Sequence, residues 1–422
     1  MEKYSRYVRL PLSGISMVLE DLDKGGSKPV DPFLLQKMKK GIFKNTGVFA
    51  PTYIPSRLIG RDQEILNIGN IIGPALDGEH PHNAFVYGKT GVGKSVVTKY
   101  VLLNLAEQLE GIENNVKSVF INCRQINTPI KIIKKICNII APNVEIPPTG
   151  LATSEYYARL WKILNDFNGI TIIVLDEVDK VENDSILYNL TRAEENLDLI
   201  TGCLSVLCIS NDLGYKARLD VRTLSSFGIR EVIFSPYDAN QLGDILEDRA
   251  KEGFNEKALG DEVIPLCAAF AAQEHGDARR AIELLECAGE LAVGRKSDKV
   301  QEEDVRGAEI KIETDRFMET IRTLPTQQKA VLSAIVSSDA RELDTDRIYT
   351  DYREVVKRLD LDTLSKIRVS ILISELDMLG LIDARVMSRG RYGRVRLVRP
   401  VISKEKTLRV LEEDYRFNLM AE

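Results

Sequence analysis

An eight-residue stretch, GKTGVGKS, runs from Gly88 to Ser95 and has the residue types of a phosphate-binding loop. It fits the pattern GxxxxGK[ST], follows an apolar run and precedes a predicted helix that begins at Lys94. Glycines let backbone N–H groups surround phosphates, and the helix N-terminus favours negative charge. Lys94 is expected to reach the β- and γ-phosphates, and the Ser95 hydroxyl to join a Mg²⁺ shell. The predicted nucleotide-binding residues of this loop are Gly88, Thr90, Gly91, Val92, Gly93, Lys94, Ser95 and Val96.

A second apolar run, TIIVLDEVDK, ends in Asp176 and Glu177. Ligands of parallel sheets bind at the carboxyl ends of the strands, and the phosphate loop lies upstream in the same predicted sheet. Asp176 is suited to join Ser95 in holding Mg²⁺, and Glu177 to orient or polarise an attacking water. The next run, LCISND, ends in Asn211, whose amide can hold that water or the γ-phosphate. The pattern predicts Asp176, Glu177 and Asn211 as catalytic residues.

A third pattern lies near the C-terminus, where a predicted helix leads into a predicted hairpin. The polar start of that helix carries Lys366 and Arg368, which we expect to enter a DNA major groove, and Gly380 is expected to end the helix. The stretch that follows, LIDARVMSRGRYGRVRLVRP, predicts strand, tight turn and strand, the winged form of a helix-turn-helix. The apolar residues at helical spacing are Ile367, Ile371, Leu372, Leu376 and Leu379.

The tip of this hairpin is predicted to carry Arg389, Arg391 and Arg394 beside two glycines. Small residues allow close approach to a phosphate chain or a minor groove, and the arginines supply charge and reach. The chain has a formal net charge of −6, so an acidic molecule has one strongly basic edge. This favours docking on duplex DNA. The alternative is a winged helix used for protein contacts, or a hairpin whose charges are only solvated.

Five short runs rich in valine and isoleucine alternate with helical segments, which predicts an α/β fold with a parallel sheet covered on both faces. The predicted strands are 84–87, 116–122, 170–176, 204–210 and 231–235. Beyond them only helical patterns occur until the winged-helix segment. The predicted domains are an N-terminal arm (1–50), a nucleotide-binding domain (51–235), a helical lid (236–313) and a winged-helix domain (314–422).

The bulk composition is that of a globular protein, with 28% charged and 44% hydrophobic residues. The six cysteines form no CxxC pair, which predicts buried free thiols in a reducing cytosol. No run of about 18 apolar residues occurs, so no membrane span is expected. We expect a cytoplasmic, nucleoid-associated protein.

The phosphate loop, the Asp–Glu strand end and Asn211 together resemble the AAA+ ATPases, which implies ATP or ADP and Mg²⁺ as cofactors. The stretch YIPSRLIGRDQEI (53–65) is similar to the family's segment that packs on the adenine. HGDARRAIELL is similar to its sensor-two motif, which implies that Arg279 reaches from the lid to the γ-phosphate as a catalytic residue. The resemblance also implies that Tyr237 and Arg249 approach the nucleotide; for Arg249 a solvated helix charge is the alternative.

The order of AAA+ core, helical lid and C-terminal winged helix resembles the archaeal origin-recognition initiators, relatives of the eukaryotic origin-recognition and licensing ATPases. SELDMLGLI before the wing and GDARRAIELLECAGELA in the lid are similar to that family. The resemblance implies a DNA-contacting insertion, which here corresponds to Pro148, Thr149 and Gly150. Eukaryotic relatives often have a Ser-Arg pair that serves a neighbouring subunit's ATP. In RTLSSFG, Arg222 is the nearest candidate for that trans arginine.

These observations predict an ATP-dependent replication initiator that binds duplex origin DNA through its winged helix and ATPase insertion. ATP binding and slow hydrolysis by a weak ATPase would act as a switch, and other initiator copies and the replicative helicase are the further expected partners. One alternative is an ATP-gated winged-helix transcription regulator. Another is a clamp loader or branch-migration motor, but such rings need a clear trans arginine, which RTLSSFG supplies poorly.

Overall fold

The computed structural model describes residues 41–111, 115–147, 150–228, 230–338, 340, 342–388 and 394–418, with only the backbone at Ser226, Ser388 and Arg394. The chain divides into two compact units, one up to residue 305 and one from residue 306. Within the described part of the chain, no helix is long and apolar enough to cross a membrane.

The first unit is built on a five-stranded, fully parallel sheet with the order β2-β3-β4-β1-β5. All five predicted strands are present, with ends within one residue of the prediction. Tyr87 pairs with Ser210 and Asp176 with Ile209, so the carboxyl ends of β1, β3 and β4 meet at one edge. The strands are β1 (Ala84–Gly88), β2 (Val116–Asn122), β3 (Ile170–Asp176), β4 (Cys203–Ser210) and β5 (Glu231–Phe234).

Helices cover both faces of this sheet because successive strand side chains point to opposite sides. Phe85 and Leu175 belong to the apolar cluster on one face, and Val86 and Val174 to the cluster on the other. The predicted α/β class is confirmed. The helices of this layer are α1 (Asp62–Ile72), α2 (Lys94–Gln108), α3 (Pro129–Ile140), α4 (Thr153–Phe167), α5 (Ser185–Thr191), α6 (Tyr215–Arg218) and α7 (Val221–Ser226).

Three further helices form the lid of the first unit: α8 (Ala239–Gly253), α9 (Val263–Gln273) and α10 (Ala278–Gly294). The next helix, α11 (Glu302–Thr323), continues past the predicted end of the lid. The predicted boundary between 313 and 314 falls inside it, because residues 308–323 contain neither glycine nor proline to end the helix.

The described end of the predicted N-terminal arm, residues 41–50, is packed against the lid. Ile42, Phe43 and Phe49 are buried, and both phenylalanine rings contact Phe254 of the lid, with centroids 4.8 and 5.3 Å from its ring. The Lys44 and Asn45 amides donate to the Gly253 carbonyl. Burial of these apolar side chains fixes the segment to the lid.

The second unit is a winged helix with its own apolar core. The antiparallel sheet has the order β6-β8-β7. Gly380 has φ +71° directly after the C-cap Leu379, so the predicted helix stop is confirmed. The elements are α12 (Thr326–Ser337), β6 (Leu343–Asp344), α13 (Thr345–Arg358), α14 (Lys366–Met378), β7 (Ile382–Ser388), β8 (Arg394–Pro400), α15 (Lys404–Glu412) and α16 (Tyr415–Asn418).

Candidate nucleotide site and nucleic-acid interface

The phosphate loop connects β1 to α2, as its sequence predicts. Gly91 and Gly93 have φ of +75° and +94°, the left-handed region that side chains disfavour. A Cβ at Gly93 would lie 2.8 Å from the Tyr237 hydroxyl, so glycine is needed there for space as well. The remaining predicted loop residues follow the turn into α2: Gly88 ends β1, Thr90 is exposed, Val92 is buried, and Ser95 and Val96 are partly buried.

The Lys94 ammonium is buried at the centre of the loop. It donates to the carbonyls of Gly88 (2.8 Å) and Lys89 (2.6 Å) and to Oδ1 of Asn211 (2.8 Å). Burial lowers the pKa of Lys94 to about 8, although the Asp176 carboxylate acts in the opposite direction. A cation held by neutral acceptors in a dry site gains from an anion, so the loop fits a nucleotide phosphate.

Asp176 ends β3 and is buried beside Ser95. Burial raises the pKa of its carboxyl, and a hydrogen bond from the Ser95 side chain acts in the opposite direction. A hydroxyl and a carboxylate are the hard oxygen ligands that Mg²⁺ prefers, so the pair fits the predicted metal role. Glu177 follows with φ +53°, and its amide donates to the Asp176 carboxylate at 3.1 Å.

Asn211 follows β4, which lies next to β1 in the sheet, so its amide reaches the loop lysine. Ser210 is bonded beside it: its hydroxyl donates to Oδ1 of Asp179 at 3.0 Å. The structure therefore brings together Lys94, Ser95, Asp176, Glu177 and Asn211 at one edge of the sheet, which is the arrangement that the motifs predict.

The lid contacts the phosphate loop through the first residues of α10. Asp277 caps this helix by accepting from the amides of Arg279 and Arg280, and the Ala278 amide donates to the Gly91 carbonyl at 3.2 Å. A Cβ at Gly91 would overlap the Asp277 carboxylate. Arg279 is exposed, and its charge contributes to lowering the pKa of Lys94.

Tyr237 lies between the loop and the lid, near the predicted nucleotide position. Arg61 stacks on its ring at 3.7 Å, donates to the Val92 carbonyl at 3.0 Å and to the Ser235 carbonyl at 2.7 Å. Only 3% of Arg61 is exposed. The sequence prediction missed this residue individually, because its partners Val92, Ser235 and Tyr237 lie far along the chain. Its place in YIPSRLIGRDQEI, the segment similar to the one that packs on the adenine, was the available signal.

Arg249 is buried and does not have the solvated position that was the alternative for it. Its guanidinium lies 4.4 Å from the centre of the Tyr53 ring, and the Tyr53 hydroxyl donates to Glu252 at 2.6 Å. Burial lowers the pKa of Arg249. Arg249 thus contacts Tyr53, the first residue of the segment that is similar to the family's adenine-packing segment. Its approach to the nucleotide stays a prediction.

In the winged helix, α13 and α14 form the helix-turn-helix. Ser365 caps α14 by accepting from the Arg368 amide at 3.3 Å. Lys366 and Arg368 are exposed on its first turn, as predicted, and Lys366 pairs with the exposed Asp346. Of the five apolar residues at helical spacing, only Leu372 and Leu376 are buried, because the spacing defines a helix without defining which face packs.

The hairpin-strand arginines whose side chains are described, Arg385, Arg396 and Arg399, are paired with acids of the same unit. Asp383 accepts from Arg385 at 2.9 Å and from Arg399 at 2.7 Å, and Arg396 lies 3.6 Å from Asp377. At the predicted tip, Arg389 and Arg391 lie outside the described residues, and Arg394 begins β8 with only its backbone described.

The predicted DNA-contacting insertion lies partly outside the described residues. Pro148 and Thr149 belong to that part, while Gly150 is exposed with φ +93°. Arg222, the candidate trans arginine, lies exposed at the start of α7, where Asp220 accepts from its amide at 2.8 Å.

A phosphate loop on this sheet, an Asp–Glu strand end and a helical lid define an AAA+ ATPase, here joined to a winged helix. The family models that match agree with this class. They are described as an AAA domain (residues 78–207), a Cdc6 AAA+ ATPase-type lid domain (243–310) and a CDC6 C-terminal winged helix domain (319–410).

The chain is 43% identical over 384 residues to the ORC1-type DNA replication protein 1 of Methanosarcina acetivorans, covering 89% of this chain and 92% of that protein. It is 44% identical to the ORC1-type DNA replication protein of Pyrococcus furiosus, covering 89% and 90%. The solved structure of the Aeropyrum pernix ORC1 protein in complex with DNA is 41% identical, with a TM-score of 0.75, and covers 90% of this chain and 99% of that one. The chain therefore belongs to the ORC1/Cdc6 family of AAA+ proteins.

Proposed function

We propose that this chain is an ATP-dependent replication initiator that binds duplex origin DNA and uses ATP binding and slow hydrolysis as a switch. The observation that carries the proposal is the union, in one chain, of an AAA+ nucleotide site with a winged helix whose presented helix begins with Lys366 and Arg368. Relatives that match over 89% of the chain are named as DNA replication proteins, and the similar Aeropyrum pernix ORC1 protein was solved in complex with DNA.

The side chains at this edge of the sheet have separate tasks in the proposed ATPase. Lys94 neutralises phosphate charge, and Asn211, which accepts from the Lys94 ammonium, fixes its direction. Ser95 and Asp176 would hold Mg²⁺, which supplies further neutralisation of phosphate charge when bound. Glu177, at the strand end, orients the attacking water.

The lid links nucleotide state to the rest of the proposed switch. Arg279 approaches the phosphates from α10, the helix whose first residues contact the loop through Asp277 and Ala278. Tyr237 and Arg249 approach the nucleotide on the side of its adenine base and the phosphate loop. A bound triphosphate stabilises the closed lid, and loss of the γ-phosphate removes the partner of Arg279.

On DNA, the start of α14 enters the major groove while the hairpin arginines Arg389, Arg391 and Arg394 contact the backbone or the minor groove. The ATPase insertion at Pro148, Thr149 and Gly150 adds a second contact. Further copies of this chain and the replicative helicase are the proposed protein partners, and Arg222 is the proposed trans arginine.

A genome-wide footprint of the protein tests this function. Occupied sites beside replication starts support an initiator, whereas sites confined to promoters would identify the alternative, an ATP-gated transcription regulator. The variant Lys366→Ala/Arg368→Ala serves as the control, because it should lose site preference, by about 1–3 kcal/mol per base contact, while it keeps ATP binding.

A further inference from the structure

The helix α14 carries a second apolar stripe on the side away from its core. Ile367, Ile371 and Met378 are 78%, 42% and 80% exposed. At about 100° per residue they lie within roughly 40° of one another on the helix circumference. The buried residues of the helix centre about 170° away; they are Val369, Leu372, Ile373 and Leu376.

Basic side chains border this stripe at its N-terminal end. On the helix circumference, Lys366 lies on one side of Ile367 and Ile371, and Arg368 lies on the other. The only acid that pairs with either cation in the described residues is Asp346, and that ion pair with Lys366 is exposed and therefore weak. An apolar strip between two cations complements the floor of a major groove, which presents thymine methyl groups beside hydrogen-bond acceptors.

The start of α14 is held in a fixed position by a hydrogen-bonded network. The Tyr352 hydroxyl donates to Oε1 of Gln327 at 2.6 Å and accepts from the Leu364 amide at 3.2 Å. The Tyr349 hydroxyl donates to the Leu364 carbonyl at 3.2 Å. Three side chains thus fix the residue that precedes the cap, so Ile367 is presented on a rigid element.

We propose that Ile367 and Ile371 are specificity-determining residues that contact the C5-methyl groups of thymines in the major groove. The inference rests on the proposed DNA-binding function and adds to it the chemical feature that is recognised. In the major groove, the methyl group of thymine is the apolar group that distinguishes A·T from G·C pairs, and apolar side chains are its usual contacts.

The spacing of the two isoleucines predicts the spacing of the two methyl groups. Four residues of helix advance about 6 Å. One base-pair step advances about 3.4 Å. Ile367 and Ile371 should therefore contact thymines about two steps apart, while Lys366 and Arg368 contact base edges beside them.

The test uses a duplex that contains one footprinted site, in which thymines are replaced one at a time by deoxyuridine, which removes only the C5-methyl group. Binding is measured by fluorescence anisotropy. For the wild-type protein, we expect about a fourfold loss of affinity at each of two positions, the value for one buried carbon group. All other replacements should have little effect.

The variants Ile367→Ala and Ile371→Ala should each lose sensitivity to one of the two replacements. Ile200→Ala is the matched control, because Ile200 is also an exposed isoleucine (74%) but lies between α5 and β4 in the other unit. The melting temperature of the variants should not change, since the truncated side chains are exposed.

Two results would overturn the inference. If the wild-type protein binds the site but no deoxyuridine replacement weakens it, or if Ile367→Ala and Ile371→Ala keep the wild-type pattern, the isoleucines do not contact thymine. If the protein binds no duplex at all, the proposed function fails together with it. An association of copies that Ile367→Ala abolishes, with unchanged deoxyuridine sensitivity, would assign the stripe to protein contact instead.

Discussion

In the nucleotide site, the charged lysine is buried and bonded to neutral acceptors, whereas on the winged helix charged side chains lie at the surface beside exposed isoleucines. Lys94 has three acceptors within 2.8 Å, while Lys366 has one exposed partner, Asp346. A buried network fixes its members at one geometry, so the loss of one member leaves the others without a partner. A surface array is roughly additive, because each charge is separately solvated.

Among the variants that test this difference between the two regions, Glu177→Gln should have the largest effect. The substitution keeps the size of the side chain but removes its charge. ATP turnover should fall by about 10²–10⁴, the usual contribution of a positioned base, while ATP affinity is retained. Single-turnover hydrolysis and nucleotide titration measure the two quantities. Unchanged turnover would assign water activation to another residue.

Lys94→Ala should weaken ATP binding by at least about a hundredfold, because hydrogen bonds from a charged donor contribute about 1.5–3 kcal/mol each. The matched control is Lys89→Ala, since Lys89 belongs to the same loop but has an exposed side chain. Titration with a fluorescent ATP analogue distinguishes the two variants. Equal loss in both would mean that only the net charge of the loop matters.

The triple variant Arg389→Ala/Arg391→Ala/Arg394→Ala tests the surface side of the comparison. Each phosphate contact contributes about −0.9 to the slope of log affinity against log salt, so the slope should become shallower by up to about 3. ATP binding should not change. The control Arg385→Ala should change the slope less, because Arg385 is already paired with Asp383. An unaltered slope in the triple variant would leave the tip arginines as solvated charges.

The smallest predicted effect is the dependence of ATP affinity on pH. The pKa of Lys94 is lowered to about 8, so its charge is complete below pH 8 and is lost above it. Bound phosphate favours the charged form, so affinity should be constant below pH 8 and fall about tenfold per pH unit above it. Calorimetry at pH 8 in buffers of different ionisation enthalpy should detect uptake of about half a proton per ATP. Absence of proton uptake would contradict the lowered pKa.

The two regions also differ in how much of them the sequence could predict. Lys94, Asp176 and Asn211 lie at or after the carboxyl ends of strands that the apolar runs identify. Because these ends meet at one edge of a parallel sheet, local sequence patterns correctly predicted that the three residues lie together. Arg61 was missed because the residues it bonds, Val92 and Ser235, are far from it in sequence and have no shared spacing.

On the winged helix, the same kind of pattern predicted the helix α14 but not which of its faces packs against the core. The spacing of Ile367 and Leu372 predicted a helix, yet only the packing against α12 and α13 decides which of the two apolar faces is buried. The packing of Phe43 and Phe49 was missed for a related reason: their partner is Phe254, about two hundred positions away.

The contact between Asp277 and Gly91 has a consequence for how this chain can vary. Glycine at position 91 satisfies two independent requirements, a left-handed backbone and room for a carboxylate that arrives from the lid. An alanine there would collide with the lid even where the nucleotide tolerated it. A side chain at position 91 therefore requires a shorter residue at position 277, and even in that background the left-handed backbone disfavours it.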